Sequence, residues 1–196
     1  EKIRKGIEFS SKKLLRFAII LYGLKLNINI IFNQGMPLIL RGIITIAFAL
    51  IITILLAKWL KADMSLSLLL AVGTGICGAA AIAAVSPILK SKEEDTAMGI
   101  GIIALVGTFF AVLYTFLRPI IPLSDLDYGI WSGASLHEIA HVALATAPAS
   151  QDAMAIALLA KLSRVLLLIP FCYLLIFWIN SRKKSNNINS KIEFPW

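Results

Sequence analysis

As a pattern of apolar and polar positions, the chain is a series of long apolar runs separated by short polar joints. A basic stretch comes first: Lys2, Arg4, Lys5, Lys12, Lys13 and Arg16 stand against Glu1 and Glu8. Apolar segments then cover 14–32, 36–60, 66–89, 97–121, 128–147 and 153–179. The first is interrupted by Lys25, Asn27 and Asn29, the fourth ends among Pro119 and Pro122, and the fifth is the least apolar. Most approach the ~20 residues that a helix needs to cross a hydrocarbon core. They do not alternate, so they predict helices and not the strands of a barrel. The expected fold class is all-α, a polytopic helical integral membrane protein. Its expected organisation is a basic cytoplasmic lead-in at 1–16, a transmembrane domain at 17–180 and a polar cytoplasmic tail at 181–196.

Composition supports this and removes other classes. Of 196 residues, 59% are hydrophobic and 15% charged, and the mean hydropathy is +0.85. A soluble domain carries about 25% charged residues. The net charge of +8 would suit nucleic acid, but the basic residues gather at the ends of apolar runs, the pattern that sets membrane orientation. Nucleic acid is therefore not an expected partner. Both basic ends predict cytoplasmic termini, with Lys58, Lys61 and Arg118 inside and Arg41, Lys90 and Lys92 outside. Cys77 and Cys172 both lie in apolar runs, which does not suggest a disulfide framework.

The string "AVGTGICGAAAIAA", from Ala71, has two readings. Gly73, Gly75 and Gly78 spell the G-x-G-x-x-G of a dinucleotide-binding turn, with Glu93 in place for a ribose contact. That fold also needs a second buried strand ending at the acid, and "SPILKSKE" with its proline and two lysines cannot supply one. The other reading is a membrane helix broken at the glycines, because each glycine weakens a helix by up to about 1 kcal/mol. Ala79, Ala80, Ala81, Ala83 and Ala84 then allow close helix packing. A helix restarting near Gly78 would turn free amides around Gly75–Ala79 toward a cavity, where an anion is favoured. Simple close packing of small residues is the plainer alternative.

A second stretch, "WSGASLHEIAHVALA", puts His137, Glu138 and His141 in an apolar segment, and the next run contains Lys161 and Arg164. Charges at bilayer depth cost at least ~2.5 kcal/mol and face a cavity or a partner. On one helix, His137 and His141 would share a face, as would Lys161 and Arg164, while Glu138 would project about 100° from His137. "HEIAH" also fits H-E-x-x-H, the zinc-protease pattern, with Asp152 as the nearest downstream carboxylate. A plainer alternative is a salt bridge from Glu138 to Lys161 or Arg164 that only locks helices. The basic groups outnumber the carboxylate, however, and that surplus suits an anion. Arginine can grip an oxyanion with two parallel hydrogen bonds, and histidine adds a proton-coupled step.

The strings "IEFSSKKLLRFAIILYGLKL", "GTGICGAAAIAAVSPILKSKEED", "GIWSGASLHEIAHV" and "KLSRVLLLIP" resemble the YeiH-like sulfate exporter family of bacterial inner-membrane proteins. The resemblance runs from Gly6 to the end of the chain, and family members are longer, so the chain looks like a central portion of one. It implies a multi-pass protein of the bacterial plasma membrane and a secondary transporter of a small, sulfate-like anion. Motif by motif, it carries over Gly73, Thr74, Gly75, Cys77 and Gly78, then Ser135, His137 and Glu138, then Lys161 and Arg164. The family usually has serine where Gly75 stands and glutamine where His141 stands, and the second departure undercuts the zinc reading.

The combined expectation is alternating access around a site where glycine-broken helices meet. Thr74, Gly75, Cys77, Gly78, Ser135, Lys161 and Arg164 are its expected substrate-binding residues, with His137 and Glu138 carrying or gating a proton. No enzymatic activity, metal or cofactor is expected. The partners are a small anion and the lipid bilayer, with homo-oligomerisation left open. An intramembrane zinc metalloprotease using "HEIAH" and a structural subunit without transport are the alternatives. A faint internal echo also exists: "GTGICGAAAIAAV" from Gly73 can be laid over "GASLHEIAHVALA" from Gly133, and "MGIGIIALVGT" from Met98 over "MAIALLAKLSR" from Met154. Repeats of this kind are common in transporters.

Overall fold

The structure, a computed structural model, describes the backbone of residues 28–185 and the side chains of residues 36–181. The basic stretch at 1–16, most of the 14–32 segment and the end of the tail lie outside the described residues. Among the described residues the order is α1 (Ile28–Trp59), α2 (Met64–Gly75), α3 (Ala79–Leu89), α4 (Glu93–Leu117), α5 (Asp125–Ser135), α6 (Ile139–Thr146) and α7 (Gln151–Ser185), with no strand between them. A dinucleotide fold is thereby excluded for this region, and Glu93 serves instead in the acidic first turn of α4 with Glu94 and Asp95, where carboxylates favour the positive end of the helix. The unit described here begins at Met36.

Met36–Trp59, Glu93–Leu117 and Gln151–Ser181 are long and apolar enough to cross a membrane. Their large side chains point outward: Phe48, Ile51, Leu105, Phe109, Leu166, Leu174 and Phe177 are all exposed. Such area is not tolerated on a soluble monomer and is ordinary against lipid. The buried core is made of small and branched residues from the shorter helices. Val72, Ile76, Cys77, Ala81, Val85 and Ile88 form one cluster with Ile46 and Cys172, and Leu69, Ile82 and Ile103 form another.

Two of the apolar segments, 66–89 and 128–147, are each broken into two helices. Helix α2 stops at Gly75 and α3 restarts at Ala79, with Gly78 as its N-cap at φ 81°. Helix α5 stops at Ser135 and α6 restarts at Ile139, with Glu138 as its N-cap. When the strings from Gly73 and Gly133 are overlaid, C-cap Ile76 falls on C-cap Leu136 and N-cap Gly78 on N-cap Glu138. The faint sequence echo thus has a structural counterpart, since each broken pair is followed by a long helix, α4 or α7. The copies also interlock, with α3 of the first packing on α7 and α6 of the second on α4.

Close approach on α5 and α7 depends on glycine. A Cβ at Gly129 or Gly133 would overlap the backbone carbonyl of Ala153 or Ala157. This small-xxx-small stripe lets two backbones touch, which replaces the hydrophobic force that lipid removes. On α4, Gly107 leaves room for the His141 ring. Tyr128 ties three helices together, its hydroxyl lying 3.0 Å from the Tyr114 carbonyl and 2.9 Å from that of Ala145. The α4–α5 joint is closed by Arg118, which bonds Asp125, donates to the carbonyls of Ile121 and Leu123 and stacks 4.8 Å from the Tyr128 ring centre.

Two stability tests follow from this packing. Gly133→Ala forces α5 off α7 and should cost about 1–3 kcal/mol, or roughly 2–4 °C of thermal midpoint per kcal/mol. Gly101→Ala, with nothing within 4 Å of the added methyl, should be neutral or stabilising. Equal losses in detergent melting would refute the close-approach argument. The hydrogen bond from Arg118, with a smaller contribution from Ser150, holds the exposed Asp125 carboxyl below its ordinary 3.8. A carboxyl with a depressed folded pKa stabilises above its unfolded value and loses that contribution as pH falls through the lower folded value. The Asp125→Asn protein should therefore lack the part of the acid-induced loss below pH ~3.8 that this pair causes, as read from melting curves across acid pH.

Candidate functional site

A broken helix leaves carbonyls without partners at its first half and amides without partners at its second. At both breaks the carbonyls are met from α7. The Lys161 ammonium, 0% exposed, donates to the Ile76 carbonyl at 3.1 Å and the Leu136 carbonyl at 2.7 Å. Arg164, 1% exposed, donates from one terminal nitrogen to the Gly75 carbonyl at 3.3 Å and from the other to the carbonyls of Gly133 and Leu136. Each cation therefore spans the C-terminal ends of α2 and α5. Those ends carry partial negative charge, so the placement is electrostatically favoured, and the carbonyls gain donors that an apolar interior cannot otherwise offer.

The amides behave differently from the expectation. At the first break, Ile76 donates to Val72 and Gly78 donates to Gly73 at 2.8 Å, a backward closure of the α2 terminus. The Ala79 amide at the start of α3 faces Oε1 of Glu138 at 3.4 Å. The carboxylate at that helix N-terminus thus comes from the protein itself. Glycine at 78 permits this: a Cβ there would stand 2.8 Å from Cγ of Glu138, and the positive φ disfavours any other residue.

The "HEIAH" string does not form one helical face. His137 lies in the break between Leu136 and Glu138, both extended, Glu138 is the N-cap of α6 and only His141 lies within it. The predicted sharing of a face by His137 and His141, and the 100° offset of Glu138, are both corrected by this break. His141 turns to α4, its Nε2 3.2 Å from the Thr108 hydroxyl. Among the described residues no three of His, Cys, Asp and Glu converge as metal donors, so the donor geometry gives the zinc reading no support. The alternative of a locking salt bridge from Glu138 to Lys161 or Arg164 is not formed, and Arg118–Asp125 is the ion pair among the described residues.

Of the sequence-predicted residues, Gly75, Cys77, Gly78, Glu138, Lys161 and Arg164 come together at the breaks. His137 adjoins Glu138 in the second break, buried, its Nδ1 without a partner. Thr74 is half-buried on α2. Ser135 is exposed and donates to the Trp131 carbonyl of its own helix, so its hydroxyl is not turned into the cluster. Sequence reasoning missed the Gly129–Gly133 stripe, although its G-x-x-x-G spacing was visible. It also missed the Tyr128 tie and the Arg118–Asp125 joint.

These features define a helical membrane protein with two discontinuous helices whose open ends share two buried cations. The chain belongs to the family described as conserved hypothetical protein 698, whose model matches residues 1–196. This is the family expected from the motif strings. Similar proteins include UPF0324 membrane proteins of Staphylococcus epidermidis, 52% identical over the whole chain, and of Staphylococcus aureus, 52% and 51% identical in two strains. The chain spans 59% of the length of each of these relatives. No solved structure matches it.

The contact between Gly78 and Glu138 gives a sharp prediction. Gly78→Ala should destabilise by about 1–3 kcal/mol through its positive φ and more through displacing Glu138. Combined with Glu138→Ala, which removes the obstructing Cγ, the total should fall short of the sum by at least ~0.5 kcal/mol. Strict additivity in melting experiments would mean that Glu138 is not seated on Gly78.

Proposed function

We propose that the protein is a multi-pass secondary carrier of a small anion, sulfate being the first candidate, in the bacterial plasma membrane, and that it acts by alternating access and not as an enzyme. The observation that carries this reading is the charge balance at the two breaks. Lys161 and Arg164 are buried there against one half-buried carboxylate, Glu138. The four open helix ends contribute partial charges of about half a unit each, two of either sign, and these cancel. One positive charge remains. A buried uncompensated charge is costly, and a diffusible anion at the breaks neutralises it.

Spare donors are available. Two hydrogens of Lys161 are committed to carbonyls, which leaves a third, and Nε of Arg164 has no partner. Glu138 and His137 stand at the second break, where a proton alters the balance. Protonating Glu138 weakens its hold on the Ala79 amide and frees the α3 terminus. Broken helices from two repeats, meeting at a shared site, are the usual architecture for alternating access.

The test is flux in proteoliposomes carrying the full-length protein, using sulfate, sulfite, sulfonates and carboxylates with and without a pH gradient. Saturable uptake of one class is expected. Arg164→Gln should reduce it to the level of protein-free liposomes, while Arg164→Lys, which keeps the charge without the planar fork, should insert normally and retain part of it. Full flux in Arg164→Gln, or no flux of any anion in the wild type, would overturn the reading.

A further inference from the structure

The two arms of each break fold back on each other. Along one helix Leu66 and Ile82 would lie about 24 Å apart, yet a Cβ at Gly99 of α4 would stand 3.6 Å from Leu66 and 3.4 Å from Ile82. Gly73 faces Ile82 as well, so α2 and α3 run antiparallel. The same holds for the second break. Tyr128 and Ala145 would be about 26 Å apart on one helix, yet the Tyr128 hydroxyl donates to the Ala145 carbonyl at 2.9 Å. The arms have 8–12 residues, or about 12–18 Å, too short for a ~30 Å hydrocarbon core. Helix α4 shows which way each hairpin opens. Near its start Thr96 bonds Ser86 of α3 at 2.6 Å, and further along Ile103 meets Gly78 at the first tip. The α2–α3 hairpin therefore opens toward the start of α4. His141, close to the second tip, meets Gly107, whereas Thr115 near the end of α4 donates to the Leu144 carbonyl at 3.2 Å. The α5–α6 hairpin therefore opens toward the end of α4. The tips meet midway, where the Ala79 amide faces Glu138. Helix α7 runs the other way to α4. It passes Gly129 and Gly133 of α5, then the tips, and then Val85 and Ile88 of α3, which cluster with Cys172.

We infer that the two breaks are the tips of re-entrant hairpins that enter the membrane from opposite faces, the α2–α3 hairpin from the cytoplasm, and that α1, α4 and α7 are the crossings among the described residues. These three are the helices long and apolar enough to cross. Each repeat then holds one crossing, so the second copy is inverted relative to the first. The residues at the mouth of the α2–α3 hairpin include Lys58, Lys61, Lys90 and Lys92. The joints at the mouth of the α5–α6 hairpin carry one basic residue, Arg118, and it is bonded to Asp125. Arg41 lies within α1 and not in a joint. Short loops rich in lysine and arginine stay in the cytoplasm, which sets the orientation. This differs from the expected topology, in which Lys61 and Lys90 face opposite sides and Arg118 faces inward. On the carrier reading, the shared site is approached from the cytoplasm past the α2–α3 hairpin and from outside past the α5–α6 hairpin. The topology itself does not depend on that reading.

The experiment places single cysteines in the full-length protein at four exposed positions: Ala62→Cys and Glu93→Cys at one pair of joints, Leu123→Cys and Ala147→Cys at the other. Bacterial cells expressing each variant are treated with a membrane-impermeant maleimide, intact and after permeabilisation, and the labelling of the unsubstituted protein is subtracted. Leu123→Cys and Ala147→Cys should label in intact cells, whereas Ala62→Cys and Glu93→Cys should label only after permeabilisation. If Ala62→Cys and Glu93→Cys fall on opposite sides, or Leu123→Cys and Ala147→Cys do, the segment between them spans the membrane and the hairpins are overturned. All four on one side would overturn entry from opposite faces, and the two pairs exchanged would overturn the cytoplasmic assignment. A position that stays unreactive even in detergent is not at a membrane face, which would equally sink the inference. The labelling requires no transport. The expected pattern in a protein with no flux of any anion would therefore leave the hairpins standing and remove the carrier reading, and flux with the spanning pattern would do the reverse.

Discussion

Four backbone carbonyls, those of Gly75, Ile76, Gly133 and Leu136, must find donors inside an apolar bundle, and all four find them on α7. An unbroken helix would satisfy them internally. Because both helices are broken, the bundle needs cations at a fixed depth, and α7 must lie where one lysine and one arginine reach both breaks. The glycines of α5 serve that requirement. With Gly129 and Gly133 against the carbonyls of Ala153 and Ala157, α5 lies close enough to α7 for its C-terminal end to reach Lys161 and Arg164.

Burying two cations is expensive, several kcal/mol for each charge even after relaxation. Helix ends offset part of this, and the hydrogen bonds offset more. The arrangement therefore has a double character, since the groups that hold the breaks together also carry the excess charge on which the proposed carrier function rests. An anion bound at the breaks either uses the remaining hydrogens of Lys161 and Arg164 or displaces a carbonyl. Displacement would loosen a helix end, which is a direct physical link between occupancy and helix position.

Much of this was legible from residue types. The glycine string predicted the first break, and its restart at Gly78 is where α3 begins. Lys161 and Arg164 were recognisable as buried because charges within an apolar run need a reason. The second break was harder to read. "SLHEI" contains neither glycine nor proline, so a helical phase carried straight through it looked natural. The backbone is extended at Leu136 and Glu138, and the 100° rule does not cross an extended segment. That is why His137 and His141 separate, and why Glu138 can turn back to α3. Ser135 was placed by its neighbours in the string, yet a serine at the last turn of a helix commonly bonds a carbonyl four residues earlier, and it does so here.

The repeat explains where the charge asymmetry comes from. In the overlay that begins at Met98 and Met154, Leu105 falls on Lys161, Gly107 on Ser163 and Thr108 on Arg164. Both long helices receive the other repeat here, α4 through Gly107 and Thr108 and α7 through Lys161 and Arg164. On α4, Gly107 and Thr108 accept the ring of His141 from α6. On α7, Arg164 receives the Gly75 carbonyl of α2, and Lys161 that of Ile76. Leu105 is 76% exposed where Lys161 is 0% exposed. One scaffold thus carries two chemistries, a glycine–threonine seat for a histidine ring in the first copy and a pair of cations in the second. Two identical copies would place a balanced pair of sites about the centre. The divergence instead concentrates positive charge on α7, buried between the two breaks.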